Sequence, residues 1–204
     1  MEQGRESLRR YPGMSNSAAG RDGVPMFARP FYYLRHGETD ANVRLIIAGS
    51  LDVDLTPLGR EQARTAARAL AAVPITGVYS SPLRRARETA EPIADALKLP
   101  VTVLAEIAER NWGELEGKPR GTHLRGSTPP GGESTKDFMQ RVLAGFSRID
   151  AEVPLVVAHS GIFRVLCRTL DIVEPEGPVM NALPLRFLPL AEGGWRMEPV
   201  DGRS

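Results

Sequence analysis

The chain has 204 residues, with 26 Lys and Arg against 25 Asp and Glu. A net charge of +1 gives no electrostatic case for a nucleic-acid partner. With 42% hydrophobic residues, the chain can bury a core without staples. The single cysteine, Cys167, excludes an internal disulfide, and the three histidines, His36, His123 and His159, leave little for a metal site. No apolar run approaches the roughly 18 residues of a transmembrane helix, so no membrane partner is expected.

Residues 1–30 read as a tail. Gly and Pro punctuate it and its apolar residues form no period. It lacks the apolar stretch of a secretory signal. The expectation is disorder, or translation starting inside it at Met14 or Met26, with the cytoplasm as the compartment. Regular structure begins at Phe31-Tyr32-Tyr33-Leu34, a buried strand feeding a polar loop. Thr56-Pro57 predicts a helix start, and Ala63, Ala66, Ala67 and Leu70 give that helix an apolar stripe. Ile75 to Tyr79 is the next strand. Ser81-Pro82 repeats the cap-plus-proline signal and predicts a helix through Leu97. Val101–Val103 is a short strand. Ser134 with Asp137 resembles a capping box for a helix to about Ile149. Pro154–Ala158 is a buried strand, Ile162 to Leu170 a helix, and Leu185 to Leu190 and Trp195 to Val200 two final strands. Strands alternating with helices predict an α/β domain: a three-layer α/β/α sandwich with a mostly parallel sheet over residues 31–204.

In such sheets ligands sit at the carboxyl ends of the strands. Three strand ends place basic groups there. The first carries Arg35-His36-Gly37, with Asn42 close behind. The second carries Ser80-Ser81-Pro82-Leu83-Arg84-Arg85, and the third His159-Ser160-Gly161. Two histidines and at least two arginines facing one pocket suit a phosphoryl group, because the guanidinium fork fits phosphate oxygens. Arg84 and Arg87 read as surface cations. Cys167, deep in an apolar helix, reads as a core residue. Ser160 lacks the preceding glycine of a nucleophile elbow.

Leu34-Arg35-His36-Gly37-Glu38-Thr39-Asp40-Ala41-Asn42 resembles the signature of the histidine phosphatase superfamily, which includes phosphoglycerate mutases. Four further stretches resemble the family's motifs in the same order. They are Leu55-Thr56-Pro57-Leu58-Gly59, Ser80 to Ala90, Pro130-Gly131-Gly132-Glu133-Ser134, and Val157-Ala158-His159-Ser160-Gly161. The resemblance runs from Phe31 to about Leu170. It implies that His36 attacks phosphorus and becomes a phosphohistidine. It also implies that Arg35, Arg85, Asn42 and His159 stabilise the phosphoryl oxygens, with Ser160 beside them. His159 would act best as a cation, its pKa raised by the phosphate. The family's acid stands four residues before the first glycine of a Gly-x-aromatic-or-Leu-x-Gly turn. Here the turn is Gly113-Glu114-Leu115-Glu116-Gly117, which points to Glu109. Glu106, in Leu104-Ala105-Glu106-Ile107, is the competing carboxylate.

The implied activity is a metal-independent phosphomonoesterase for small phosphorylated metabolites, with no cofactor, acting as a monomer or homodimer. The alternatives are a 2,3-bisphosphoglycerate-dependent mutase and an inactive phosphate-binding module. The segment Lys118 to Pro129 is short and carries Arg120, His123 and Arg125 but no helical period. It predicts an open pocket with few contacts for the rest of a substrate.

Overall fold

The computed structural model describes residues 25–122 and 127–200. Six strands form one sheet: β1 (Phe31–Arg35), β2 (Gly77–Ser80), β3 (Val101–Val103), β4 (Pro154–Ala158), β5 (Leu185–Pro189) and β6 (Trp195–Pro199). Their order is β3-β2-β4-β1-β5-β6. The first four in that order run parallel, while β5 pairs antiparallel with both β1 and β6.

Side chains alternate across the sheet. Tyr32, Leu34, Leu155 and Val157 join one core cluster, and Phe31, Tyr33, Val156 and Ala158 join the other. The chain needs apolar residues on both faces because helices cover both. Helices α2 (Pro57–Leu70) and α3 (Arg84–Leu97) cover the first face with Ala66, Ala67, Leu70, Ala90 and Ile93. Helices α4 (Thr135–Phe146) and α5 (Ser160–Leu170) cover the second with Phe138, Val142, Phe146, Ile162, Phe163 and Leu166. Each fully buried Ile, Leu or Phe contributes roughly 1.5–3 kcal/mol. The fold is the three-layer arrangement with a mostly parallel sheet that the sequence implies.

Several boundaries move. Met26 and Phe27 are buried in the second core, and Pro25–Ala28 forms a 3₁₀ turn. The packed chain therefore begins inside the stretch read as tail; residues 1–24 lie outside the described residues. Helix α3 starts at Arg84, not at Ser81-Pro82, and its N-cap Leu83 makes no side-chain cap. The Ser81 hydroxyl is directed toward the third strand end instead, 2.6 Å from Nε2 of His159. Helix α5 starts at Ser160, two residues early, and α4 stops at Phe146, followed by a turn to Ile149. Ser134 caps α4 through the Asp137 N–H at 3.0 Å and gives its own proton to the Asp137 carboxylate at 2.7 Å.

A short helix, α1 (Asp40–Val43), is absent from the sequence reading. Thr39 Oγ1 accepts from the Asn42 N–H, and Asn42 Oδ1 accepts from the Thr39 N–H, a capping box that Asn closes in place of Glu. Among the described residues no helix is long and apolar enough to cross a membrane.

Candidate active site

The site forms where β1, β4 and β2 end side by side. The ladder runs one residue past the strands: His36 N–H donates to the Ala158 carbonyl at 2.9 Å, and Ser81 N–H to that of Val157 at 3.1 Å. His36, Ser81 and His159 thereby stand in neighbouring positions at one edge. The imidazole centroids of His36 and His159 are 5.2 Å apart.

His36 is buried, and its Nδ1 lies 2.7 Å from the Gly37 carbonyl. A carbonyl only accepts, so Nδ1 carries the proton of a neutral ring and Nε2 keeps a free lone pair. Burial, then the charges of Arg85 and Arg35, push its pKa well below the usual imidazole value. Gly37 makes this geometry possible, since a Cβ there would fall 2.4 Å from the Gly59 carbonyl oxygen in α2.

Two arginines lie beside it, both buried. Arg35 closes β1, and its Nη1 donates to the Val179 carbonyl. Burial, with Arg120 next, lowers its pKa to about 10. Arg85, on the first turn of α3, is 1% exposed. Its Nη1 and Nη2 donate to the carbonyls of Leu51 and Gly49 at 2.7 and 2.8 Å. Burial also lowers its pKa. His159 is fully buried, between Ser81 at Nε2 and an unoccupied Nδ1. Its pKa is held well below the imidazole value by burial, then by Arg85, His36 and Arg35. Without a phosphate group these surroundings disfavour the protonated ring; the cation that the resemblance implies is one whose pKa the bound phosphate raises. Three buried donors, Arg35 Nε, Arg85 Nε and His159 Nδ1, have no partner among the described residues.

Asn42 Oδ1 accepts from Thr39 N–H and from Asn181 Nδ2, the latter at 3.1 Å, which leaves its own NH₂ for a ligand. Glu109 follows β3 in the chain, and its carboxylate reaches the start of α5. Its Oε2 accepts from the Gly161 N–H at 3.0 Å and from the Ser160 hydroxyl at 3.4 Å, and its Oε1 from the Arg110 N–H at 2.9 Å. The Ser160 hydroxyl thus faces the carboxylate. Glu106 points elsewhere, to an ion pair with Arg148 beyond α4.

The other candidates separate cleanly. Arg84 pairs with Asp54 and Glu88 at the surface. Cys167 is buried with its pKa pushed up to about 12, an inert thiol. Arg120 is tied by its backbone N–H to the Leu45 carbonyl, and its charge bears on Arg35 and His36. His123 and Arg125 lie outside the described residues. Among the described residues no group of three or more His, Cys, Asp or Glu side chains could hold a metal.

Three contributors escape the sequence reading. Thr89 Oγ1 accepts the Gly37 N–H at 2.9 Å and donates to the Arg85 carbonyl at 2.7 Å, joining the two motifs. Its spacing of four from Arg85 on one helix face is the available signal. Ser81 meets His159, and Asn181 Nδ2 donates to the His36 carbonyl at 2.8 Å. No local pattern marks Asn181.

This fold and this cluster of strand-end histidines and buried arginines define a phosphoryl-handling class. The histidine phosphatase superfamily (branch 1) profile matches residues 31–197, and the chain belongs to that family. It is 30% identical over 181 residues to an uncharacterized phosphatase, PhoE, of Bacillus subtilis, covering 84% of this chain and 93% of that one. It is 31% identical to a 2,3-bisphosphoglycerate-dependent phosphoglycerate mutase of a Bradyrhizobium species, covering 78% and 88%. A mycobacterial glucosyl-3-phosphoglycerate phosphatase, solved with VO3, superposes with a TM-score of 0.71 at 28% identity, covering 84% of this chain and 98% of that one.

Proposed function

We propose that the protein hydrolyses small phosphomonoesters through a phosphohistidine on His36. The observation that carries this reading is the set of three buried donors without partners beside a neutral histidine whose Nε2 is free. Buried polar groups are nearly always paired, so an orphaned set of one polarity fits an absent anion. Nε2 of His36 attacks phosphorus, the P–N bond forms and the ester P–O bond breaks. Glu109 gives its proton to the departing alkoxide. The Glu109 carboxylate then takes a proton from water as that water attacks the phosphohistidine, releasing phosphate and restoring His36. Arg35, Arg85, Asn42 and His159 hold the oxygens on which charge builds.

Hydrolysis is favoured over phosphoryl return to substrate by the cover of the pocket. Among the described residues no helix lies between Leu115 and Thr135. Lys118 and Arg120 instead pair by backbone with Ile47 and Leu45. Transfer without hydrolysis requires exclusion of water, and a short loop provides little of it. Incubation with 3-phosphoglycerate and catalytic 2,3-bisphosphoglycerate is expected to yield free phosphate, unaffected by chelator, and negligible 2-phosphoglycerate. Isomerisation outpacing phosphate release would move the chain to the mutase reading. Tight phosphate binding without turnover of any ester would make it a binding module.

Gly161 gives this reading a second handle. A Cβ at 161 would fall 2.1 Å from Glu109 Oε1, so the carboxylate reaches the start of α5 only because the residue is glycine. Gly161→Ala is expected to displace the acid. Turnover of alkyl phosphates should drop about a hundredfold, the cost of misplacing a group by about 1 Å. Thermal stability should change little, since alanine favours the helix by up to about 1 kcal/mol. Unchanged alkyl phosphate turnover in a folded variant would remove Glu109 from the acid's place.

A further inference from the structure

Ser81 is fully buried, and its hydroxyl lies 2.6 Å from Nε2 of His159. The same oxygen accepts the Leu83 N–H at 3.3 Å. These are the partners of that hydroxyl among the described residues. A hydroxyl has one proton to give, and an N–H cannot receive it. Only with Nε2 as the acceptor does that buried proton find a partner among the described residues. A neutral imidazole that accepts at Nε2 carries its proton on Nδ1, the buried nitrogen that has no partner.

We infer that Ser81 is a positioning residue whose hydroxyl fixes His159 as the Nδ1–H tautomer, so that a neutral imidazole donates a hydrogen bond to the phosphoryl group. The inference rests on the reading of this pocket as a phosphoryl site. The opposite tautomer would turn a lone pair toward the phosphate oxygens and forfeit a donor.

The surroundings of His159 act in the same direction. His36 and Arg35 face it from the end of β1, Arg85 from α3 and Arg141 from α4. The Tyr33 hydroxyl donates to its backbone carbonyl. Glu109 reaches the next two residues through Ser160 and Gly161. A second proton on the ring would meet three arginines. It would also take from the Ser81 hydroxyl its one described acceptor. A fixed tautomer supplies the donor that protonation would otherwise have to supply.

Two-bond ¹H–¹⁵N spectra of the full chain labelled with ¹⁵N-histidine report which ring nitrogen holds the proton, and His159→Gln identifies the cross-peaks. At pH 7 His159 should be protonated at Nδ1 and bare at Nε2, and Nδ1 should keep its proton when inorganic phosphate is added. Ser81→Ala should move the ring toward the Nε2–H form, and Ser81→Thr should restore the native pattern. The kcat/KM for p-nitrophenyl phosphate should fall about tenfold in Ser81→Ala at neutral and alkaline pH, the worth of one hydrogen bond to a charged group. The deficit should shrink as pH falls, because imidazolium donates from both nitrogens and no longer needs a chosen tautomer. An Nε2–H wild type, an unchanged tautomer in Ser81→Ala, or a deficit equal at every pH would overturn the inference. A wild type that releases no phosphate from any ester would sink the phosphatase reading instead, while the spectra still decide the tautomer.

Discussion

His36→Ala is expected to lower phosphate release by roughly 10⁴-fold or more, the usual consequence of deleting a nucleophile. It should also remove acid-labile phosphate from the denatured protein after mixing with substrate. The structure offers no substitute in place: the one other described histidine, His159, has Nε2 taken by Ser81. The pH dependence carries a sign. Burial and two arginines lower the His36 pKa, so the ring stays neutral well below the ordinary imidazole titration. Phosphoenzyme formation should therefore persist as pH drops through 6.5, the reference imidazole value. Labile phosphate surviving on the alanine variant would assign the attack to another residue.

Glu109→Gln should separate the two half-reactions. p-Nitrophenolate needs little help to leave, so the phosphohistidine should still form from that ester. Its hydrolysis needs a base that glutamine lacks, so p-nitrophenol should appear as a burst followed by turnover slowed by about 10²–10⁴-fold. Alkyl phosphates should lose the first step as well. Glu106→Gln serves as the contrast. Its partner Arg148 has a side chain 60% exposed, and an ion pair of that kind contributes about 0–1 kcal/mol. If Glu106→Gln were the damaging change, the acid would be Glu106 and the register of this motif would be wrong.

What the sequence displayed and what it hid divide along one line, the distance between partners. β1 was legible because a strand buried on both faces must be apolar without alternation, and Phe31-Tyr32-Tyr33-Leu34 has no other comfortable reading. His36 and His159 were legible because both follow a strand directly, with a glycine within two residues. The preference for Glu109 over Glu106 rests on spacing alone, since nothing in the sequence around either carboxylate distinguishes the two. Local grammar makes Ser81 a helix cap, yet its hydroxyl meets a residue 78 positions away. Asn181 reaches back 145 and 139 residues to His36 and Asn42. No periodicity or turn signature encodes such a pairing. Helix α1, four residues long, is too short for a 3.6-residue period to emerge.

The strand order bears on how the protein is made. β1 is synthesised first yet lies inside the sheet, between β4 and β5. The Arg35 carbonyl is held by the Ala182 N–H, its guanidinium by the Val179 carbonyl, and the His36 carbonyl by Asn181. A ribosome that has released the chain as far as the end of α5 has delivered His36, Arg85, Glu109 and His159, with the contacts of His36 to Ala158 and of Gly37 to Thr89, but not the hydrogen bonds that residues 179–182 make to Arg35 and His36. At about 5–20 residues per second the remaining turns and strands follow within seconds. Until they dock, β1 has an open edge and the turn at Arg35 and His36 lacks the hydrogen bonds from residues 179–182. The segment after α5 therefore completes the support of Arg35 and His36, and a message truncated beyond α5 would yield a polypeptide bearing these four side chains without the hydrogen bonds from Val179, Asn181 and Ala182.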